Sequence, residues 1–170
     1  QGGIVNDPQL LFVIGNPFTD RTFSGFEFGC TAEQLQMYKR FVERGGGVVS
    51  IHESCIMRPV KRSEKYAKCI GCSWKGNNTS KWSKFDHSYP LFLDTAHPAF
   101  AGLPKSIAFN DESYWNLLSR DTVQPIAAVA PKSLENAASF AQVLKAEEVR
   151  SHAFWTCQSG KGRVFGTTTG

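Results

Sequence analysis

Long apolar runs are missing from this sequence. Nothing in it approaches the roughly 18 apolar residues that a membrane-crossing helix needs, so no membrane partner is expected. The start Gln1-Gly2-Gly3-Ile4-Val5-Asn6-Asp7 has no basic residue leading into an apolar stretch, and no secretory leader is expected there. Repeats and low-complexity tracts are absent, which excludes solenoids and fibrous arrays. The phosphate-loop pattern Gly-x-x-x-x-Gly-Lys-Ser/Thr is also lacking. Gly160-Lys161-Gly162-Arg163 imitates it only superficially, and its glycines suit a hairpin turn better. Histidine is scarce, with four in the chain: His52, His87, His97 and His152. Each therefore carries weight when chemistry is assigned.

Five cysteines occur, so at least one is left without an intrachain partner. Cys69-Ile70-Gly71-Cys72 has the spacing of half a zinc site or a redox pair, but no second Cys-x-x-Cys completes it. Asn77-Asn78-Thr79-Ser80 holds two overlapping glycosylation sequons, which matter only in a secreted chain. Compartment is left open.

What is present is ordinary globular composition. The 170 residues are 41% hydrophobic and 20% charged, enough for one domain with a buried core, expected to span residues 1–170. The net charge of +4 is unevenly placed. Eight cations, Arg58, Lys61, Arg62, Lys65, Lys68, Lys75, Lys81 and Lys84, stand against the single acid Glu64, and the rest of the chain is net negative. Such a run suits either a phosphate or nucleic-acid patch or a solvated insertion. No nucleic-acid motif accompanies it, so residues 57–88 read as a basic excursion from the sheet and a nucleic-acid partner is disfavoured.

Hydrophobic patterning places the elements. Leu10-Leu11-Phe12-Val13-Ile14 is a short continuous apolar run, the mark of a strand buried on both faces. Thr31 with Gln34 has capping-box spacing, and Leu35, Tyr38, Phe41 and Val42 give one apolar helix face. Gly45-Gly46-Gly47 stops that helix, and Val48-Val49-Ser50-Ile51 follows as a strand. Strand, helix and strand make a βαβ unit and predict an α/β fold on a mostly parallel sheet. Further strands are expected at residues 91–93, 107–109 and 125–130, with a hairpin of residues 153–156 and 163–167 around Ser159-Gly160-Lys161-Gly162. Residues 133–148 read equally as helix or loop.

Ligands bind beyond the carboxyl ends of parallel strands, and His52 and Glu53 lie at such an end. Asp111-Glu112-x-Tyr114 gathers two acids and a phenol, suited to general base work, to sugar hydroxyls, or to holding a divalent metal together with His52. Asp111 serves equally as the cap of a helix starting near Glu112, whereas Glu112 is not needed for capping. His97 precedes Pro98, which holds its backbone extended. The strand ending at Ile51 leads into His52, not cysteine. Cys55 and Ser54 lack the Gly-x-Cys-x-Gly and Gly-x-Ser-x-Gly elbows, which argues against an amidotransferase or hydrolase nucleophile. A non-catalytic sugar-binding or protein-interaction module is the rival, with Trp74, Trp82, Trp115 and Trp155 as ring-stacking candidates.

Four segments in order resemble the trehalose-utilisation (ThuA-like) family. They are Glu33-Gln34-Leu35 through Gly45-Gly46-Gly47-Val48-Val49-Ser50-Ile51-His52; His97-Pro98-Ala99-Phe100-Ala101-Gly102-Leu103-Pro104; Phe109-Asn110-Asp111-Glu112-Ser113-Tyr114; and Trp155-Thr156 with Gly160-Lys161-Gly162-Arg163-Val164-Phe165. The resemblance implies a flavodoxin-like, class I glutamine amidotransferase-like three-layer sandwich without the cysteine nucleophile. It implies a role in the metabolism of trehalose or a related, or oxidised, disaccharide. On that reading His52, Glu112 and Asp111 are catalytic candidates, and Glu53, His97, Tyr114 and Trp155 bind the sugar. The chain is expected to start after the family's first strand, and a homo-oligomer or a longer parent chain is compatible with it.

Overall fold

The computed structural model describes residues 10–14, 32–56, 60–76, 79–84, 89–130, 132–145 and 152–169. Thr31, His87, Cys30 and the sequons at Asn77 and Asn78 lie outside them.

The chain opens with the expected βαβ unit. Strand β1 (Leu10–Ile14) leads to helix α1 (Ala32–Glu43) and strand β2 (Gly47–Ile51). β1 and β2 pair in parallel, Leu10 opposite Gly47 through Ile14 opposite Ile51. Helix α1 turns Leu35, Phe41 and Val42 inward and leaves its charged residues wet, as the spacing predicts. β2 ends in a single 3₁₀ turn, His52–Cys55.

The basic segment that reads as an excursion instead contains a core element. Helix α2 (Ser63–Ile70) is one-sided: Tyr66, Ala67, Cys69 and Ile70 are buried, while Glu64, Lys65 and Lys68 face water. Eight residues are too few for the periodicity to stand out from a lysine-rich sequence. Tertiary burial, not propensity, holds so short a helix. The Tyr66 hydroxyl donates to the Ser54 carbonyl at 2.7 Å, and its ring meets Tyr38 edge-on at 5.9 Å, joining α2 to α1 and to the 3₁₀ turn.

Short strands follow: β3 (Cys72–Ser73), β4 (Lys81–Lys84), β5 (Tyr89–Leu93), β6 (Ser106–Phe109), β7 (Glu112–Trp115), β8 (Leu118–Ser119) and β9 (Gln124–Val129). Helix α3 (Phe140–Lys145) resolves the ambiguous stretch, with Val143 buried against Phe92, Ala128 and Ala130. The hairpin β10 (Phe154–Ser159) and β11 (Gly162–Thr167) closes the chain.

The main sheet has seven strands in the order β1-β2-β11-β10-β9-β5-β6. Its two junctions β1–β2 and β2–β11 are parallel, and the other four are antiparallel. The sheet is therefore mixed, and the parallel character expected of it is confined to the edge that carries His52. The two-residue connection of the β10–β11 hairpin is too short for the crossover that parallel pairing requires. β3–β8 and β4–β7 form two small ladders beside the sheet.

Trp155 locks the layers together. It is fully buried, and its indole N–H donates to the Ile70 carbonyl at 2.8 Å, tying β10 to the end of α2. The β10–β11 turn sits as tightly against α1. Gly160 there has a φ of +58°, and a methyl group on Gly162 would strike the carbonyl oxygen of Gly46. Gly162→Ala should therefore lower stability by about 1–3 kcal/mol, read as a lower urea midpoint at unchanged slope.

His152, just before β10, has a buried Nδ1 with no hydrogen-bond partner among the described residues. Burial pushes its imidazole below the ordinary range. The unfolded chain then takes up the proton first, so this contribution to stability is complete above about pH 6.5 and is lost as pH falls below it. Melting temperature should fall between about pH 7.5 and 5.5, and His152→Gln should flatten that fall.

Candidate functional site

β2 delivers His52 to the carboxyl end of the parallel strands, where its backbone leaves the extended region for a left-handed φ of +56°. A side chain in that conformation costs roughly 1–2 kcal/mol, and such residues concentrate at functional positions. The surroundings hold the turn in place. Ser50 and Ser54 share a buried 2.6 Å hydrogen bond, while the Ser73 hydroxyl and the Trp74 N–H both donate to the Cys55 carbonyl, at 3.1 and 2.9 Å. A serine inside the apolar run Val48-Val49-Ser50-Ile51 was the available sequence signal for this support.

β6 runs parallel to β2 although it lies at the far edge, so Asn110 and Asp111 emerge at the same end of the sheet. β7 then leaves the sheet, pairs with β4, and brings Glu112 and Tyr114 to His52. The Tyr114 hydroxyl donates to Glu112 Oε2 at 3.1 Å and lies 3.3 Å from His52 Nε2. His52 Nε2 is 3.6 Å from the same carboxylate oxygen. The His52 and Tyr114 rings stack with centroids 5.6 Å apart, and Trp74 supports Tyr114 edge-on at 5.8 Å.

Tyr114 is almost fully buried, whereas His52 and Glu112 keep 25% and 29% of their side-chain surface. Burial first, then the Glu112 charge, holds the Tyr114 phenol far above its usual range. It therefore stays protonated and connects rather than ionises: one fixed hydroxyl joins an imidazole to a carboxylate, and both of those reach solvent.

The other sequence candidates divide. Glu53 is in the 3₁₀ turn, near enough for its charge to act on Tyr114. Asp111 Oδ1 accepts the Glu112 N–H at 2.7 Å. The residue it steadies begins a strand, so the expected helix cap is not formed. β5 runs antiparallel to β9, so the chain leaves Leu93, level with Ile51, heading towards the amino end of β2, and His97 does not join the His52 group. Its Nδ1 accepts the Ala99 N–H at 3.2 Å, capping a 3₁₀ turn, and it lines an open trough of about 1160 Å³ with Gly45, Gly47, Gln124 and Thr156. Trp155 is a core residue whose buried rings offer no face to a sugar. Trp74 is likewise buried, and Trp82 is the exposed indole, at 59%.

The thiols of the described residues are all buried. Burial pushes Cys55 up to about 12, Cys157 to about 11, and Cys72 higher still, well away from thiolate chemistry. Cys69 and Cys72 direct their sulfurs to different partners, the Lys65 carbonyl and the Ser119 hydroxyl. Among the described residues no three His, Cys, Asp or Glu side chains gather closely enough to hold a metal ion. His52 and Glu112 would supply two ligands at most.

A mixed-sheet α/β protein with a His–Tyr–Glu group at its parallel strand ends is thus defined. The ThuA family model, described as trehalose utilisation, matches residues 26–170, and the chain belongs to that family. Among solved structures it is similar to a ThuA-like protein from Parabacteroides merdae at 18% identity and a TM-score of 0.60, covering 94% of this chain and 59% of that one. A ThuA-like protein from Bacteroides uniformis gives 14% identity and a TM-score of 0.59, covering 95% and 60%. The β-galactosidase of Bacillus circulans sp. alkalophilus gives 10% and 0.58, with 95% of this chain laid over 20% of that one. These identities establish likeness of fold. The chain spans about three-fifths of the length of the two ThuA-like structures. No sequence among the curated proteins matches it. No helix among the described residues is long and apolar enough to cross a membrane.

The strain at His52 makes a test of the turn. At an ordinary position alanine is at least as favourable as glycine, but a left-handed residue reverses the order. His52→Gly should be more stable than His52→Ala by about 1 kcal/mol in urea unfolding.

Proposed function

We propose that this chain acts on a disaccharide, plain or oxidised, by general acid–base chemistry at the carboxyl end of β2. The observation that supports the reading best is the convergence of His52 Nε2 and Glu112 Oε2 on one buried phenol. Sugar chemistry without a covalent nucleophile needs protons moved to and from hydroxyl groups or carbons next to a carbonyl. Such steps call for an imidazole or carboxylate within hydrogen-bond reach. In this reading His52 takes or returns the proton and Tyr114 fixes its ring. Glu112 stabilises the imidazolium or binds a sugar hydroxyl, with Asp111 and Glu53 adding acceptors at the rim. Trp82, opposite Tyr114 in the β4–β7 ladder, offers an exposed indole for the apolar face of a pyranose ring. A divalent metal, if used, would need further ligands from the substrate or from outside the described residues. For the whole protein the reading carries a three-layer sandwich.

Purified protein should turn over trehalose or a keto-disaccharide, with His52→Ala and Glu112→Gln each losing about 10²–10⁴-fold in kcat/KM while circular dichroism is unchanged. Undiminished turnover in His52→Ala would remove the imidazole from the mechanism. The exposed indole of Trp82 favours one rival, a non-catalytic sugar-binding module. Saturable disaccharide binding without turnover, abolished by Trp82→Ala and kept by His52→Ala, would establish that rival instead.

A further inference from the structure

The cations of residues 58–84 have no part in the chemistry above, yet two of them, with two from elsewhere, line one recess. α1, α2 and the β10–β11 turn enclose a cavity of about 430 Å³. Lys39, Lys65, Lys68 and Arg120 line it, and Glu43 is the acid among them. Glu43 pairs with Lys39 at 3.6 Å, and among the described residues that line the cavity no other acid faces Lys65, Lys68 and Arg120. Lys65 and Lys68, three residues apart, share the wet face of α2.

Two features favour an anion here over a merely solvated face. The cavity is floored by Leu35, Val42 and Cys69, all buried, so a bound molecule would leave water on that side. The carbonyl end of a helix normally repels an anion. Here the Lys68 carbonyl accepts hydrogen bonds from both Arg120 Nη1, at 3.0 Å, and the Ser159 hydroxyl. Those donors cover its negative end and fix the guanidinium, whose remaining N–H groups suit a phosphate.

We propose that this cavity binds the phosphate group of a small phosphorylated molecule, Lys65, Lys68 and Arg120 taking the phosphate and the apolar floor taking the adjoining ring. Its size falls in the range of small-molecule sites. No aromatic side chain lines it, so it lacks the stacking platform that single-stranded nucleic acid uses.

The test is calorimetric titration of the full chain at about 50 mM salt, where surface charge is weakly screened. The probes are pyrophosphate, a hexose 6-phosphate, the unphosphorylated hexose and a DNA oligonucleotide. Both phosphates should bind saturably, and Lys65→Ala/Lys68→Ala should weaken them at least ~10-fold. Both positions are exposed, so folding should be unaffected, and Lys65→Arg/Lys68→Arg should keep binding. His52→Ala should also keep it, which separates this cavity from the strand-end group. The proposal is overturned by no saturable phosphate binding up to about 10 mM, by binding indifferent to the lysine pair, by phosphate binding lost in His52→Ala, or by oligonucleotide binding without hexose-phosphate binding.

Discussion

A phenol whose ring belongs to the core and whose hydroxyl must still find partners sets the geometry of this protein. Tyr114 packs against Trp74 and the His52 ring, so its oxygen has almost no freedom of place. Burial forbids the phenolate, so that oxygen is satisfied by Glu112 and His52, and the two reach water around a position the core has fixed. Much else serves that arrangement: the Ser50–Ser54 bond, the donors on the Cys55 carbonyl, and Tyr66 reaching from α2 to Ser54. Removing the ring would loosen both partners at once, whereas removing either partner leaves the ring where it is.

The parts legible in the sequence were those with strong local periodicity or a strong stop. α1 shows itself through Leu35, Phe41 and Val42 and the glycines behind it, and β2 through Val48, Val49 and Ile51. His52 and Glu112 could be nominated because one ends that strand and the other is an acid with no capping duty. Two things were hidden. α2 was masked by its lysines, since burial that decides a two-turn helix depends on neighbours far along the chain. The direction of β5 was hidden too, because antiparallel pairing with β9 is a long-range fact. That direction carries the chain, and His97 with it, away from the strand-end group. Trp155 misled for a related reason: a tryptophan beside a family motif looks like a stacking platform until its burial is known.

Membership of the ThuA family and the mixed sheet fit together. Among the described residues, burial has pushed Cys55, Cys72 and Cys157 away from nucleophilic use. The His–Tyr–Glu group stands instead at the sheet edge where three strands run the same way, and proton chemistry there is the proposed reading.

β1 carries a different consequence. Its side chains alternate strictly, Val13 turning to the core while Leu10, Phe12 and Ile14 stand 50%, 59% and 70% bare. An apolar stripe along the strand that ends the sheet among the described residues is a liability in concentrated solution. Preparations of this chain should be handled dilute, with light scattering as the gauge of monodispersity before any rate is measured.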